Sequence, residues 1–290
     1  MSFPSPTKTY HQKAYAAIDP TRPELSTKGK HAFISGGGAG IGASIAVSLA
    51  KSGVSTLGLL GRTIASLEST KSVIEALGSS TVVHLYVADV TDAEATSSAL
   101  NSFSHSINGR IDILIANAGY MSDLRTITDS DPEDWWRAFE VTVRGNFNLL
   151  RAFQPLAASD SSVIHISTAA IHIPYMFGFS AYRASKSAAT KLFEYYHHEN
   201  PDAFVLQVHP GLIGGTAMSE KFAASAKELG LVYDDIEMSG NFTVWAVSDE
   251  AKFLNGRFVH ANWDVEELKA LKKELENDES RFTIGLQGWF

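Results

Sequence analysis

The 290-residue chain contains no cysteine. That excludes disulfides, thiolate metal sites and a cysteine nucleophile together. It has no run approaching the ~20 apolar residues that a bilayer span needs, so no membrane partner is expected. Basic residues are the minority: 24 Lys and Arg against 32 Asp and Glu leave a net charge of −8. Phosphate backbones need the opposite balance, so nucleic acid is not an expected partner. The ten His fall into no ligand spacing, and no metal is expected. A G-x-S-x-G nucleophile elbow is absent, which argues against a hydrolase of that type. The opening MSFPSPTKTYHQKAYAAIDP holds no apolar core of signal-peptide length. A cytoplasmic protein in a reducing compartment is the expectation.

What is present is ordinary for a soluble domain: 44% hydrophobic and 19% charged residues. Residues 1–29 are polar and broken by Pro4, Pro6, Pro20 and Pro23. They read as an arm that packs on the domain or stays loose. From Lys30 short apolar runs alternate with helical spacing. The runs are HAFIS, STLGLLG, TVVHLYV, IDILIA, SVIHIS, AFVLQVH and GRFVHA. Helical spacing covers Ile41–Ser52, Ile64–Leu77, Asp92–Ser106, Glu133–Phe153 and Ala181–His198. Strands that are apolar throughout, rather than alternating, suit a parallel sheet buried on both faces. The fold class expected is α/β: one doubly wound parallel sheet over residues 30–262. Residues 263–290 form a tail in which Leu268, Leu271 and Leu275 fall on one helical stripe. That helix docks on the core, or forms a lid or subunit contact.

The first strand ends in SGGGAGIG, Ser35–Gly42, and a helix follows. Gly36, Gly40 and Gly42, with Gly38 and Ile41 in the same turn, permit close backbone approach to a pyrophosphate. The helix N-terminus then faces its charge. In such folds a carboxylate ending the second strand takes the ribose hydroxyls. Here the strand ends LLGRT, so Gly61 replaces the acid and Arg62 follows. A guanidinium beside a missing carboxylate suits a 2′-phosphate, and NADP(H) is expected over NAD(H).

The order of the glycine loop, ADV (Ala88–Val90), ANAG (Ala116–Gly119), ISTAA (Ile166–Ala170), YRASK (Tyr182–Lys186) and HPG (His209–Gly211) resembles the short-chain dehydrogenase/reductase family from about Lys30 to His260. The tail is similar to a branch of fungal oxidoreductases, many of them in secondary metabolism. The resemblance implies a Rossmann-type sheet of about seven strands. It implies adenine contacts at Asp89 and Val90, and a ribose contact at Asn117 and Gly119. Pro210, Ile213 and Thr216 would cover the nicotinamide. Tyr182 takes the place of the general acid/base and Lys186 that of its partner. Thr168 matches the family's serine, with Ser167 its neighbour. Successive strand side chains point to opposite faces, so one of the two reaches the site. A homodimer or homotetramer is implied through the helices at Glu133–Phe153 and Ala181–His198.

The spacing of Tyr182 and Lys186 has its own logic. Residues i and i+4 stack on one helix face. A free phenol has a pKa near 10, and a neighbouring ammonium favours the phenolate. Lowering it by ~3 units takes roughly 4 kcal/mol. Arg183 points elsewhere by the same helical geometry.

One position departs from the family. Thr142, in EVTVRGNFNLL, stands where many members have an Asn that holds a proton-relay water. A Thr copies only part of that role. Either the relay runs through Thr142 or substrate, or redox turnover is slowed and the site does something else. A non-redox cyclase, isomerase or dehydratase would follow from the latter; a cofactor-binding regulator without chemistry is a separate alternative, against which the retained Tyr182, Lys186 and Thr168 speak. The stretch IHIPYMFGF, Ile171–Phe179, with Met218 and Phe222, predicts a cleft for a bulky apolar or aromatic small molecule.

Overall fold

Each run read as a strand is one. The structure, a computed structural model, describes residues 5–228 and 230–286. Among them, β1 (His31–Ser35), β2 (Thr56–Gly61), β3 (Val82–Val87), β4 (Ile111–Ala116), β5 (Ala157–Ile166), β6 (Phe204–His209) and β7 (Phe258–His260) form one sheet. Its order is β3-β2-β1-β4-β5-β6-β7, and every neighbouring pair is parallel. The expected doubly wound sheet is therefore present.

Strand side chains feed two cores by simple alternation. Ile34, Leu59, Ile115, Ile164 and Val208 face one side, together with α1 (Gly40–Lys51) and α9 (Ile236–Ala246). Phe33, Leu60, Leu114, Val163 and Val205 face the other. There they meet α3 (Ala93–Ser106), α5 (Gly145–Phe153) and α6 (Ser180–Glu199). This is why the strands carry no polar face. The strand order reverses direction between β1 and β4, and such a switch opens a crevice at the carboxyl ends of the strands.

Two helices differ from the sequence reading. The expected helix over Glu133–Phe153 is α4 (Pro132–Phe139), a π turn over Glu140–Arg144, and α5. The π turn lets Gly145 approach the β3–α3 connection so closely that a Cβ there would lie 2.6 Å from Val90 Cγ2. The tail helix is split at Leu271 into α10 (Val265–Ala270) and α11 (Lys272–Glu276). Leu268 and Leu275 remain fully buried on either side of the break.

The arm lies against the domain. Ile18 and Leu25 are buried in the first core. Tyr10 bridges Trp263 in antiparallel fashion, and His11 pairs with Asp264 at 2.9 Å. No helix among the described residues is long and apolar enough to cross a membrane.

Candidate active site

A cleft of about 500 Å³ opens at the carboxyl ends of β1, β4, β5 and β6. It is lined by Gly36, Gly40, Ile41, Arg62, Asp89, Val90, Asn117, Gly119, Ser167, Thr168, Tyr182, Lys186, Pro210, Ile213 and Thr216. Gly38, Gly42 and Thr142, also singled out in the sequence, do not line it.

The two glycines behind the cleft act through packing. A Cβ on Gly42 would lie 2.2 Å from the Gly36 carbonyl oxygen, and one on Gly38 would lie 2.8 Å from Ser66 Oγ. The loop therefore folds back on itself in a way that side chains forbid. Gly36 and Gly40 have φ of +70° and +54°. The N-cap of α1 is Ala39, which offers no side-chain oxygen to the first-turn amides. An uncapped 12-residue helix facing a cleft is a place for an anion. Asn117 braces the loop from β4, donating through Nδ2 to the Ser35 and Gly36 carbonyls at 3.1 Å each. The residues fit a dinucleotide pyrophosphate.

At the adenosine end, Gly61 packs on Leu67 and presents no acid. Arg62 is exposed, and among the described residues it forms no ion pair. Arg137 is engaged, at 2.9 Å from Asp89 and 3.3 Å from Glu140. Burial pushes the Asp89 carboxyl up. The Thr91 N–H and hydroxyl, with the Arg137 and Arg62 charges, outweigh this and hold it below its usual range.

At the centre, Tyr182 and Lys186 stand on the first turns of α6, and both are buried. Lys186 Nζ donates to the Ile166 carbonyl at 2.6 Å. A Cβ on Gly119 would lie 3.4 Å from Nζ. Burial pushes the Tyr182 phenol above its ordinary value, and the Thr168 hydroxyl pulls it back only in part. The expected lowering by Lys186 is not found: burial raises the phenol, and the opposing pull comes from Thr168 rather than from the ammonium. Thr168 also caps the following turn, accepting from Ala170 N at 3.2 Å. Ser167 Oγ lies instead 3.3 Å from Thr190 Oγ1 on α6. Of the two hydroxyls, Thr168 is the one that acts on Tyr182.

Burial pushes the Lys186 ammonium down from 10.5 to about 8. Between those values the folded protein binds fewer protons there than the unfolded chain. Stability from this group accordingly rises as pH climbs through the window and is lost as pH falls through it. Urea denaturation should show wild type gaining about 2 kcal/mol on Lys186→Met between pH 7.5 and 9.5. An unchanged difference would mean that Lys186 titrates normally.

Thr142 is fully buried in the π turn, and among the described residues its Oγ1 has no hydrogen-bond partner. Its carbonyl accepts from Asn146 Nδ2 at 2.6 Å. Asn148 turns away, donating to the Val90 carbonyl at 3.0 Å.

The outer half of the cleft is apolar. Met121, Met176, Phe179, Met218, Phe222 and Leu231 line it, with Phe179 and Phe222 edge to face at 5.2 Å. Met121 and Leu231 had no signal in the sequence. Tyr175 and Phe177, counted there from composition, point outward at 83% and 58% exposure. His172 also leaves the cleft: its Nε2 lies 3.2 Å from His260 Nε2. Arg183 has a defined role, donating to the Ile173 and Pro174 carbonyls and so holding this loop. Among the described residues, the charged side chains along the cleft are Arg62 and Asp89 at one end and Lys186 at the centre. Among the described residues no group of three His, Cys, Asp or Glu side chains could hold a metal ion.

Residues 30–227 match the family described as short chain dehydrogenase. A short chain dehydrogenase/reductase of Claviceps purpurea (strain 20.1) is 33% identical over 98% of this chain and 95% of its own length. The short chain dehydrogenase/reductase nsrO of Aspergillus novofumigatus (strain IBT 16806) is 31% identical over 98% and 97%. Among solved structures, a 7α-hydroxysteroid dehydrogenase complexed with NADH and 7-oxo glycochenodeoxycholic acid superposes with a TM-score of 0.74 at 21% identity. The match covers 86% of this chain and 97% of that one.

Proposed function

This chain belongs to the short-chain dehydrogenase/reductase family, oxidoreductases that use NAD(P)(H), and on that premise we propose that it is an NADP(H)-dependent enzyme interconverting a ketone and a secondary alcohol on a bulky, uncharged, apolar or aromatic substrate. The observation that carries the reading is the buried Tyr182–Lys186 pair with Thr168 at the meeting point of the glycine-loop half and the apolar half of one cleft.

The glycine loop, the α1 amides, Arg62, Asp89, Asn117 and the 210–216 loop would hold the dinucleotide. When bound, it supplies or accepts the hydride. The chain manages the proton and the charge. In the reductive direction Tyr182 donates its phenolic proton to the carbonyl oxygen as that oxygen gains negative charge. Thr168 hydrogen-bonds the same oxygen and fixes which side of the carbon faces the cofactor. Lys186, unpaired with any carboxylate and set on the Ile166 carbonyl, stabilises the phenolate left behind. The apolar walls keep water out, which strengthens each of these interactions.

An uncharged substrate follows from the lining. A carboxylate or phosphate placed among Met176, Met218 and Phe222 would lose its hydration without a partner. The relatives from fungi and the shape of the cleft support a role in secondary metabolism. A dimer or tetramer through α4–α6, as the resemblance implies, is supported by Trp136, Phe147 and Tyr195, which are exposed on those helices.

The buried, unpartnered Thr142 hydroxyl favours a second reading in which redox turnover is impaired and the site performs a non-redox rearrangement. Thr142→Asn decides between them. An active reductase should change kcat by less than about threefold, within the range of an indirect contact. A tenfold or greater rise (~1.4 kcal/mol off the barrier) would show that Thr142 blocks the relay.

A further inference from the structure

The loop Pro210–Thr216 borders the cleft, but its own fixings lie behind it. Pro210 O accepts from Ser239 Oγ at 2.5 Å on α9. Leu212 is held twice by one residue: its N–H donates to Asp234 Oδ2 at 2.8 Å, and its carbonyl accepts from Asp234 N at 2.8 Å. Gly211 makes this approach possible. It has φ of +97°, and a Cβ there would lie 2.8 Å from the same carboxylate oxygen.

Asp234 is buried, and its other contacts lead to the chain's two ends. Asn262 Nδ2 donates to Oδ2 at 3.0 Å and also to the His11 carbonyl at 2.9 Å. His11 N donates back to the Asn262 carbonyl at 2.7 Å, and Asp235 N donates to the Gln12 carbonyl at 2.8 Å. The cleft loop and the segment before α10 thus meet on one buried carboxylate, and the arm reaches it through Asn262 and the neighbouring Asp235 N–H. A free loop of this length needs no such anchor, and a buried carboxylate is costly unless its hydrogen bonds serve the fold.

We propose that Asp234 is a positioning residue for the 210–216 loop, and that His11 and Gln12 of the N-terminal arm complete its brace, so that the arm is part of the active-site scaffold. The inference rests on the reading of the cleft as a dinucleotide site. The loop touches what is bound there; Asp234 acts through Leu212.

The test uses the full chain and two readouts. Hydrogen exchange is followed in the ligand-free protein, and NADPH binding and turnover are measured alongside. Asp234→Ala should speed exchange across residues 211–216 by at least ~10-fold, because the Leu212 N–H loses its acceptor and Asn262 its link to the loop. It should weaken NADPH binding ~10-fold and lower kcat by a similar factor through misplacement. Asp234→Asn keeps one oxygen where Leu212 and Asn262 donate, so it should stay within about threefold of wild type. Unchanged loop exchange in Asp234→Ala overturns the inference. So does equal damage in both variants, which would assign the effect to charge. If Asp234→Ala does not fold, His11→Pro decides. It removes the N–H given to Asn262 from a peripheral segment and should also loosen 211–216; no change there overturns the inference. Wild type that binds neither nucleotide would strike the oxidoreductase reading while leaving the exchange result to judge the brace.

Discussion

Replacing Tyr182 with Phe should lower kcat by about three orders of magnitude, the middle of the range for losing a general acid. Binding of NADPH should stay within about threefold, since the hydroxyl contributes little to the ground-state complex. The structure makes this a clean substitution. Tyr182 is 7% exposed and packs edge to face on Phe179 at 6.1 Å. A phenyl ring fills the same space, so the denaturation midpoint should hold. Thr168 keeps its Ala170 contact in the variant. The loss would then be in the chemical step: the carbonyl oxygen would develop charge with no proton donor beside it. Pre-steady-state turnover with a neutral bicyclic ketone is the measurement. A kcat within tenfold of wild type would place the acid elsewhere in the cleft.

The second large effect is on cofactor choice. Arg62→Glu should weaken NADPH binding by ~100-fold, as a charge-assisted phosphate contact becomes a repulsion. NADH should change by less than about threefold or tighten, since the new carboxylate can take ribose hydroxyls. The assignment rests on contrast with Arg137. Arg137 already sits between Asp89 and Glu140, whereas Arg62 is exposed at the cleft with no acid in the Gly61 position. Parallel titrations with both nucleotides decide it. An unchanged preference would remove Arg62 from the site.

Much of this was legible in residue order. Apolar strands such as HAFIS and IDILIA could only be buried on both faces, and the glycines before α1 could only be a tight turn against it. What the order did not carry was direction and desolvation. Periodicity cannot distinguish a continuous helix from one with a π turn at Glu140–Arg144 or a break at Leu271. Composition counted Tyr175 and Phe177 as cleft residues, but orientation turns them to solvent. Spacing put an ammonium one turn from Tyr182, but burial raises the phenol and only Thr168 pulls it back. Asp234 left no signal at all, because its partners are 22 and 28 residues away and the arm beyond them is over 200 residues distant.

The most direct test of the central claim is a fluorescence titration of the purified protein with NADPH and with NADH, followed by addition of the neutral ketone. Expected are saturable NADPH binding, NADH binding at least ~10-fold weaker for want of the Arg62 contact, and oxidation of NADPH when the ketone is added. Tight NADPH binding with no oxidation on any neutral ketone would move the weight to Thr142 and non-redox chemistry. No binding of either nucleotide would contradict the reading of the glycine loop, and with it the proposed reaction.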